Sequence, residues 1–379
     1  IILSNNFIIM IKISRGSFGE EELEEVRSAF EYGYLGLGHK VDEFEDELKK
    51  FLDANYIVAT NTGTSALHLA LEALGVKAGD EVIVPSLTFV ASFQAISVVG
   101  AVPIPCDVYP NTLLMDMNSV KEKISNRTKV IMPVHYGGNP CDMNTLLEIK
   151  KTRGIRIVED AAHAFGSTYC GKKIGGFGDI ACFSFDSIKN ITCGEGGAIA
   201  CNEPDLVEKI KIKRLLGIDR KTQTSKSWKE RSWEYDVVDQ GFRYHMSNLN
   251  AAIGLAQIKK IESFISRRRE ICAQYVSELK NIPSVQLLPV DYSVVAPHIF
   301  VILVSGNRRN GLMQFLKDRD IESSVPYIPN HLHSFYRVDA LLPNTDKVFK
   351  EILSLPLHTE LSDKNVWTVI ASVKEFFGK

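Results

Sequence analysis

A lysine stands among apolar and small residues in the stretch CFSFDSIKNITCGEGGAIAC, residues 182–201. Lysine side chains are rarely buried unless a partner accompanies them. Apolar surroundings disfavour the charged form, so the pKa falls and the amine becomes a better nucleophile near neutral pH. Lys189 could therefore form a Schiff base with an aldehyde. The alternative is a side chain that follows the protein surface and keeps its charge in water.

An acidic pair ends an apolar run in IRIVEDAAHAFGS, residues 155–167. Glu159 and Asp160 close a predicted buried strand, and His163 lies three residues beyond Asp160. An acid at the carboxyl end of a parallel strand is well placed to meet a ligand. The alternative is that Asp160 caps a helix over AAHAF.

Glycine and hydroxyl residues stand between a predicted strand and a predicted helix in ATNTGTSALHLAL, residues 59–71. The free N–H groups and the dipole of a helix N-terminus attract anions, above all phosphate. Gly63 and Thr64 are therefore candidates for an anion site, although plain N-capping by Thr or Ser would use the same residues. Phe89 follows the next predicted strand, where it could either face a planar ring or pack in the core.

One aldehyde cofactor, pyridoxal 5'-phosphate (PLP), needs this whole set of groups. It requires an amine for its aldehyde, an acid for its pyridine nitrogen, a cradle for its phosphate and a surface that stacks on its ring. The chain offers all four at the ends of predicted strands. Each signal is weak alone, but their joint order makes coincidental packing a poor explanation.

These positions are set by an alternation of apolar strands and helices from residue 56 to residue 160, which predicts a mostly parallel sheet covered on both faces. Two amphipathic helices precede it, and ACFSF and GAIAC predict two further strands. A helical pattern of about thirty residues begins at residue 247 and leads into a second region. We expect an N-terminal extension over 1–20, a large α/β domain over 21–255 and a smaller α+β domain over 256–379.

The composition argues against several classes of protein. The 379 residues are 45% hydrophobic and 24% charged, with a formal net charge of −2, which disfavours nucleic acid as a partner. The seven cysteines are scattered and form no C-x-x-C pair, so we expect reduced thiols, no metal site and a cytoplasmic location. We also expect no membrane segment and no signal peptide, and Met10 is a candidate for the natural start.

The motifs NTGTSALHLAL, VEDAAHAFGS, FSFDSIKNITCGEGGAI and GFRYHMSNLNAAIGLAQI resemble those of the DegT/DnrJ/EryC1/StrS aminotransferases. The resemblance runs from GYLGLGHKVDEFEDEL, residues 33–48, to the terminal helix. It implies the aspartate-aminotransferase-like fold of fold-type-I PLP enzymes. It also implies a homodimer with active sites at the subunit interface.

The resemblance implies a role for each matching residue. Lys189 would carry the cofactor and move the proton, and Asp160 would hold the pyridine nitrogen. Phosphate would be bound by Ser184 with Gly63 and Thr64, while Phe89 would stack on the ring.

The remaining matches lie where the chain departs from its relatives or where the family loop approaches the sugar. His163 stands where relatives often carry Gln and would bond to the 3-hydroxyl of the cofactor. His245 replaces an Asn that reaches the phosphate in the neighbouring subunit, and a histidine can also donate to phosphate. Tyr327 and His331 match a loop near the sugar, where His331 either contacts substrate or packs locally.

The activity implied is transfer of an amino group, with L-glutamate as the donor, to a nucleotide-linked 4-keto-6-deoxy or 3-keto sugar. The pathway would make O-antigen or another lipopolysaccharide component, another surface glycan, or a related amino sugar. Dehydratases of the superfamily have exchanged the lysine for histidine, so Lys189 favours transamination. A sugar dehydratase or lyase on the same fold and a non-catalytic regulatory protein are the alternatives.

Overall fold

The computed structural model describes residues 10–219 and 235–379. Two parts of the sequence interpretation therefore concern residues outside these ranges. One is the beginning of the predicted N-terminal extension, and the other is most of the polar, aromatic stretch between residues 217 and 236.

Most of the strands belong to two sheets. The strands are β1 (Tyr56–Thr60), β2 (Glu81–Pro85), β3 (Val102–Cys106), β4 (Thr128–Ile131), β5 (Arg156–Asp160), β6 (Thr168–Tyr169), β7 (Lys172–Lys173), β8 (Ile180–Ser184), β9 (Gly197–Cys201), β10 (Ile218–Asp219), β11 (Asp236–Val237), β12 (Val285–Leu287), β13 (Phe300–Val304) and β14 (Ile352–Leu355).

Helices cover these sheets and connect their strands. They are α1 (Glu20–Tyr32), α2 (His39–Leu52), α3 (Gly63–Ala73), α4 (Val90–Val98), α5 (Met117–Lys123), α6 (Met143–Arg153), α7 (Pro204–Arg214), α8 (Asn248–Lys259), α9 (Ile261–Leu279), α10 (Arg309–Lys317), α11 (Pro343–Glu351) and α12 (Asp363–Phe376).

The large sheet has the strand order β1-β9-β8-β5-β4-β2-β3. Within it β9 runs antiparallel to both of its neighbours, and the other paired strands are parallel. Alternate residues of β8 pack on opposite faces: Ala181 and Phe183 join one apolar cluster, and Ile180 and Cys182 join the other. The predicted α/β class and the two covered faces are confirmed.

The strand ends gather the candidate residues at one edge of this sheet. Because β1, β2, β5 and β8 run the same way, the residues that end or follow them meet there. Asp160 is the last residue of β5 and Ser184 the last of β8, whereas Gly63 opens α3 after β1. Phe89 is the N-cap of α4 after β2.

The helical pattern after residue 247 forms two helices rather than one. Lys260 ends α8 and precedes α9, and it pairs with Glu22 of α1. The sequence did not indicate the break because no proline or glycine stands at Lys260. The first turns of α9 pack on the large core through Phe264 and Ile265, and its later turns pack on the second core through Ile271 and Tyr275.

The second region is a three-stranded antiparallel sheet, β12-β13-β14, with α10, α11 and α12 around it. The short strands β12 and β14 and the helix α11 were not among the elements predicted from the sequence. Part of the predicted N-terminal extension also joins this region. The N–H of Ile11 donates to the Asp320 carbonyl over 2.7 Å, and Leu357 donates to the Ile13 carbonyl over 3.0 Å.

Candidate active site

The strand ends enclose a pocket of about 400 Å³. Eight of the ten site residues predicted from the sequence line this pocket, and the other two, His245 and His331, do not. The residues that line it are Thr62, Gly63, Thr64, Leu67, Thr88, Phe89, Ala91, Val134, Asp160, Ala162, His163, Cys182, Ser184, Asp186, Ile188, Lys189, Glu195 and Tyr327.

Lys189 lies on the turn that follows β8, and its N–H donates to the Asp186 carbonyl over 3.0 Å. The side chain is half-buried, and Nζ lies 3.5 Å from Nε2 of His298. Burial lowers the pKa of Lys189 to about 8, although the carboxylates of Asp186 and Asp160 act in the opposite direction. The amine is therefore partly unprotonated near neutral pH, as a nucleophile requires.

Asp160 is buried, with 5% of its surface exposed. The Ser92 hydroxyl donates to Oδ2 over 2.7 Å, and the Ala162 N–H donates to Oδ1 over 3.2 Å. Burial raises the pKa of Asp160, while these hydrogen bonds and the positive charge of Lys189 lower it. A protonated ring nitrogen in the pocket would add the charge partner that a buried carboxylate needs.

Thr88 contacts Ser92, the residue that donates to Asp160. Its hydroxyl lies 3.0 Å from that of Ser92, and both side chains are buried. Because Ser92 uses its own proton toward Asp160, Thr88 must donate to Ser92. This relay fixes the orientation of the carboxylate, and sequence reasoning missed it.

The start of α3 forms an anion cradle with the end of β8. Thr62 caps the helix by accepting from the Ser65 N–H over 3.0 Å, which leaves the N–H groups of Gly63 and Thr64 outside the cap. A Cβ on Gly63 would lie 2.7 Å from Cβ of Ser184, closer than real side chains approach. Only glycine lets the helix terminus and the Ser184 hydroxyl meet, and this close approach suits a phosphate.

Phe89 presents its ring to this pocket rather than to the core. Its side chain is 55% exposed, and its ring centroid lies 5.5 Å from that of Tyr327. The core-packing alternative considered for Phe89 is therefore wrong. The exposed ring is available to stack on a planar ligand.

His163 is buried with its tautomer set by its partners. Nδ1 accepts from the Gly137 N–H over 3.3 Å, so the proton is on Nε2, which lies 3.1 Å from the Tyr327 hydroxyl. Burial and the charge of Lys189 hold the pKa of His163 well below its usual value, so the ring stays neutral. Nε2 is engaged by Tyr327, whose hydroxyl proton is left to donate elsewhere. A bond from His163 to the cofactor's 3-hydroxyl stays a prediction.

Two predicted residues do not line this pocket. His245 forms a backbone bridge with Thr60 beside the end of β1. His331 is buried, with Nδ1 2.8 Å from the Ser86 hydroxyl and Nε2 3.1 Å from the Asp346 carboxylate. Of the two alternatives for His331, the structure favours local packing, because both ring nitrogens are occupied.

His298, Ser92 and Thr88 belong to the site and were not predicted. His298 precedes β13 in the second region, and its ring centroid lies 4.3 Å from that of His163. A histidine directly before an apolar strand was the one available signal for it. For Ser92 and Thr88, the hydroxyls that flank Phe89 were a comparable signal.

The pocket satisfies each requirement that PLP places on a protein. It provides an amine with a lowered pKa, a buried carboxylate held by Ser92, a glycine cradle and an exposed aromatic ring. The residues present therefore fit the cofactor that the sequence predicts.

Comparisons with known proteins agree with this geometry. The model of the DegT/DnrJ/EryC1/StrS aminotransferase family matches residues 17–374. The spore coat polysaccharide biosynthesis protein SpsC of Bacillus subtilis is 37% identical, with 94% of each chain covered.

Two solved structures superpose closely on the chain. The aminotransferase TlmJ from Streptoalloteichus hindustanus has a TM-score of 0.91 and 34% identity, over 97% of this chain and 99% of TlmJ. The putative sugar aminotransferase Spr1654 from Streptococcus pneumoniae, in its PLP form, has a TM-score of 0.90 and 31% identity, over 97% of this chain and 99% of its own. The chain thus belongs to the DegT/DnrJ/EryC1/StrS family and is a fold-type-I, PLP-dependent sugar aminotransferase.

Proposed function

We propose that this enzyme transfers the amino group of L-glutamate to a nucleotide-linked keto sugar, either a 4-keto-6-deoxy or a 3-keto sugar. The observation that carries the proposal is the convergence of a lysine of lowered pKa, a buried aspartate and a glycine cradle in one pocket. SpsC takes part in polysaccharide biosynthesis, which supports a product used in a surface glycan such as O-antigen.

Different residues of the chain would bind different parts of PLP. Ser184, Gly63 and Thr64 would hold its phosphate, Asp160 its pyridine nitrogen, and Phe89 one face of its ring. When bound, PLP supplies an electron sink that accepts the electrons released at the substrate carbon.

Lys189 would carry the protons of the exchange. In the first half, Nζ would take the proton from Cα of glutamate, whose amino group would stay with the cofactor while water supplies the keto oxygen of the departing 2-oxoglutarate. In the second half, Nζ would deliver a proton to the sugar carbon that gains the amine, and the keto oxygen of the sugar would leave as water. Proton transfer by a positioned group contributes roughly 10²- to 10⁴-fold in rate.

The substrate would meet the open side of the pocket. Tyr327, whose hydroxyl proton is left free by His163, would donate to an oxygen of the sugar.

We further propose a cytoplasmic homodimer in which His245 approaches the phosphate site of the partner subunit. In the described ranges, no helix has the length and apolar character needed to cross a membrane.

Mass detection of an amino sugar tests this function. The purified enzyme would be incubated with PLP, L-glutamate and a panel of UDP-, dTDP- and GDP-linked 4-keto and 3-keto sugars. We expect amino product and 2-oxoglutarate in equal amounts from at least one member, and neither with Lys189→Ala. Loss of water from a sugar without gain of nitrogen would instead show dehydration.

A further inference from the structure

We propose that His298 is a positioning residue for Lys189: its Nε2 accepts a hydrogen bond from the lysine amine and holds that amine in place for proton transfer. The inference rests on the proposed function of Lys189 and adds a residue from the second region to the active site.

The contact joins the two regions of the chain. Nζ of Lys189 lies 3.5 Å from Nε2 of His298, and this is its one hydrogen-bond contact with residues 10–219 and 235–379. Asp160 and Asp186 attract the amine electrostatically, but neither comes within ion-pair distance in these ranges. His298 is therefore the group that limits where the amine can lie.

The imidazole itself is tightly held. His298 is 3% exposed and packs against the His163 ring. Its backbone is tied at both ends, since its N–H donates to the Gly137 carbonyl over 3.2 Å and its carbonyl accepts from Arg268 over 3.1 Å. A fixed ring can restrain a flexible lysine, whereas a mobile ring could not.

The polar contacts determine which nitrogen carries the proton. Burial and the positive charges of Lys189 and Arg268 keep the pKa of His298 well below its usual value, so the ring is neutral. The lysine amine is the donor, so Nε2 accepts and the proton is on Nδ1. Nδ1 is buried without a hydrogen-bond partner among the described residues. A buried N–H without a partner costs free energy.

The contact with His298 would restrain the Lys189 amine whenever that amine is not bonded to the cofactor and must transfer a proton. Lysine has a long, flexible side chain, and a misplacement of about 1 Å at a reacting atom can cost roughly 10²-fold in rate. A neutral acceptor restrains the amine without adding a second positive charge. A hydrogen bond from the amine to the carboxylate of Asp160 or Asp186 would also restrain it, but the negative charge would keep Nζ protonated.

Three substitutions test the contact. His298→Gln places an amide oxygen near the position of Nε2, His298→Asn carries the same amide but is too short, and His298→Phe fills the space without an acceptor. His358→Gln is the matched control, because His358 is also buried with an unpartnered Nδ1, contacts the Lys12 carbonyl and does not line the pocket.

Two measurements separate a positioning role from a structural one. The first is kcat with glutamate and keto sugar. The second is competitive acetylation of Lys189 in the cofactor-free protein across pH, read by peptide mass. An acceptor favours the charged amine, so its loss should lower the pH at which Lys189 becomes reactive below about 8.

We expect His298→Phe and His298→Asn to lower kcat by about 10²-fold with KM unchanged, and to shift the acetylation midpoint downward. His298→Gln should keep the midpoint and most of the activity, as should His358→Gln. Equal losses in all three His298 variants, or parental behaviour in all three, would overturn the inference. If the parent protein itself fails to bind PLP at Lys189, the proposed function fails instead, and the acetylation midpoints still report on the contact.

Discussion

Ser92 donates a hydrogen bond from its hydroxyl to Oδ2 of Asp160 over 2.7 Å, from the first turn of α4 to the end of β5. Asp160 is the only acidic residue that both ends a strand of the large sheet and lines the pocket, within the described ranges. The bond fixes one carboxylate oxygen and lowers the pKa of Asp160 against the effect of burial. A helix that begins with the ring-stacking candidate Phe89 thus also orients the acid.

Ser92→Ala should weaken PLP binding and slow turnover while the fold is kept. A hydrogen bond to a charged group is worth about 1.5–3 kcal/mol, so the dissociation constant for PLP should rise roughly 10- to 100-fold. Titration of the cofactor-free protein with PLP measures this. Ser97→Ala on the same helix is the control, since Ser97 bonds to Tyr336 and not to the pocket. Unchanged affinity in Ser92→Ala would contradict the orienting role.

Asp160→Asn should lower kcat by roughly 10²-fold or more with little change in thermal stability. The amide keeps the shape of the side chain but cannot balance a proton on the pyridine nitrogen, so the ring becomes a weaker electron sink. Steady-state kinetics and a melting curve on the same sample test both halves of the prediction. Near-normal turnover in a well-folded variant would remove Asp160 from the mechanism.

Gly63→Ala should weaken the binding of PLP far more than that of pyridoxal, which lacks the phosphate. The added Cβ would lie 2.7 Å from Cβ of Ser184 and close the cradle. Loss of charge-assisted hydrogen bonds to phosphate should cost PLP roughly 10- to 100-fold in affinity. Gly311→Ala, where the new Cβ would lie 3.3 Å from the Phe376 ring in the second region, is the control. An equal loss for both vitamers would show that the phosphate lies elsewhere.

The reaction of the cofactor-free protein with PLP should accelerate between pH 7 and pH 9. Burial lowers the pKa of Lys189 from 10.5 to about 8, so the reactive, uncharged amine increases until the pH passes that value. Stopped-flow absorbance records the rate. A rate that keeps rising toward pH 10.5 would show an ordinary, solvated lysine.

The same shift predicts how stability depends on pH. Between about pH 8 and pH 10.5 the unfolded chain holds a proton on Lys189 that the folded chain has released. Stability therefore rises with pH across this window, and the penalty for burying the lysine is present in full below it. Lys189→Met should remove this rise from the unfolding free energy of the cofactor-free protein, whereas an unchanged pH profile would contradict the assigned shift.

The residues of the site that could be predicted are those whose position depends only on the strand next to them in the sequence. Asp160 ends an apolar strand, and Gly63 and Lys189 lie three and five residues after one, so strand direction alone brings them to one edge of the sheet. The break between α8 and α9 could not be predicted in the same way, because no proline or glycine stands at Lys260 to mark it.

The supporting contacts depend on tertiary packing that no local pattern describes. Ser92 and Asp160 are 68 residues apart, and Lys189 and His298 are 109 apart. The pocket position of Tyr327 and the occupied nitrogens of His331 likewise follow from how the second region packs on the first. Tyr327 and His331 belong to one sequence motif, yet only Tyr327 lines the pocket, and this difference follows from tertiary packing.

Borohydride reduction of the PLP-loaded protein, followed by peptide mass spectrometry, tests the central assignment most directly. Reduction fixes PLP to the amine that holds it, so the modified residue can be read from the fragment masses. We predict one pyridoxyl-phosphate group per chain, carried by Lys189. Modification of another lysine, or a protein that stays unlabelled after saturation with PLP, would contradict the account.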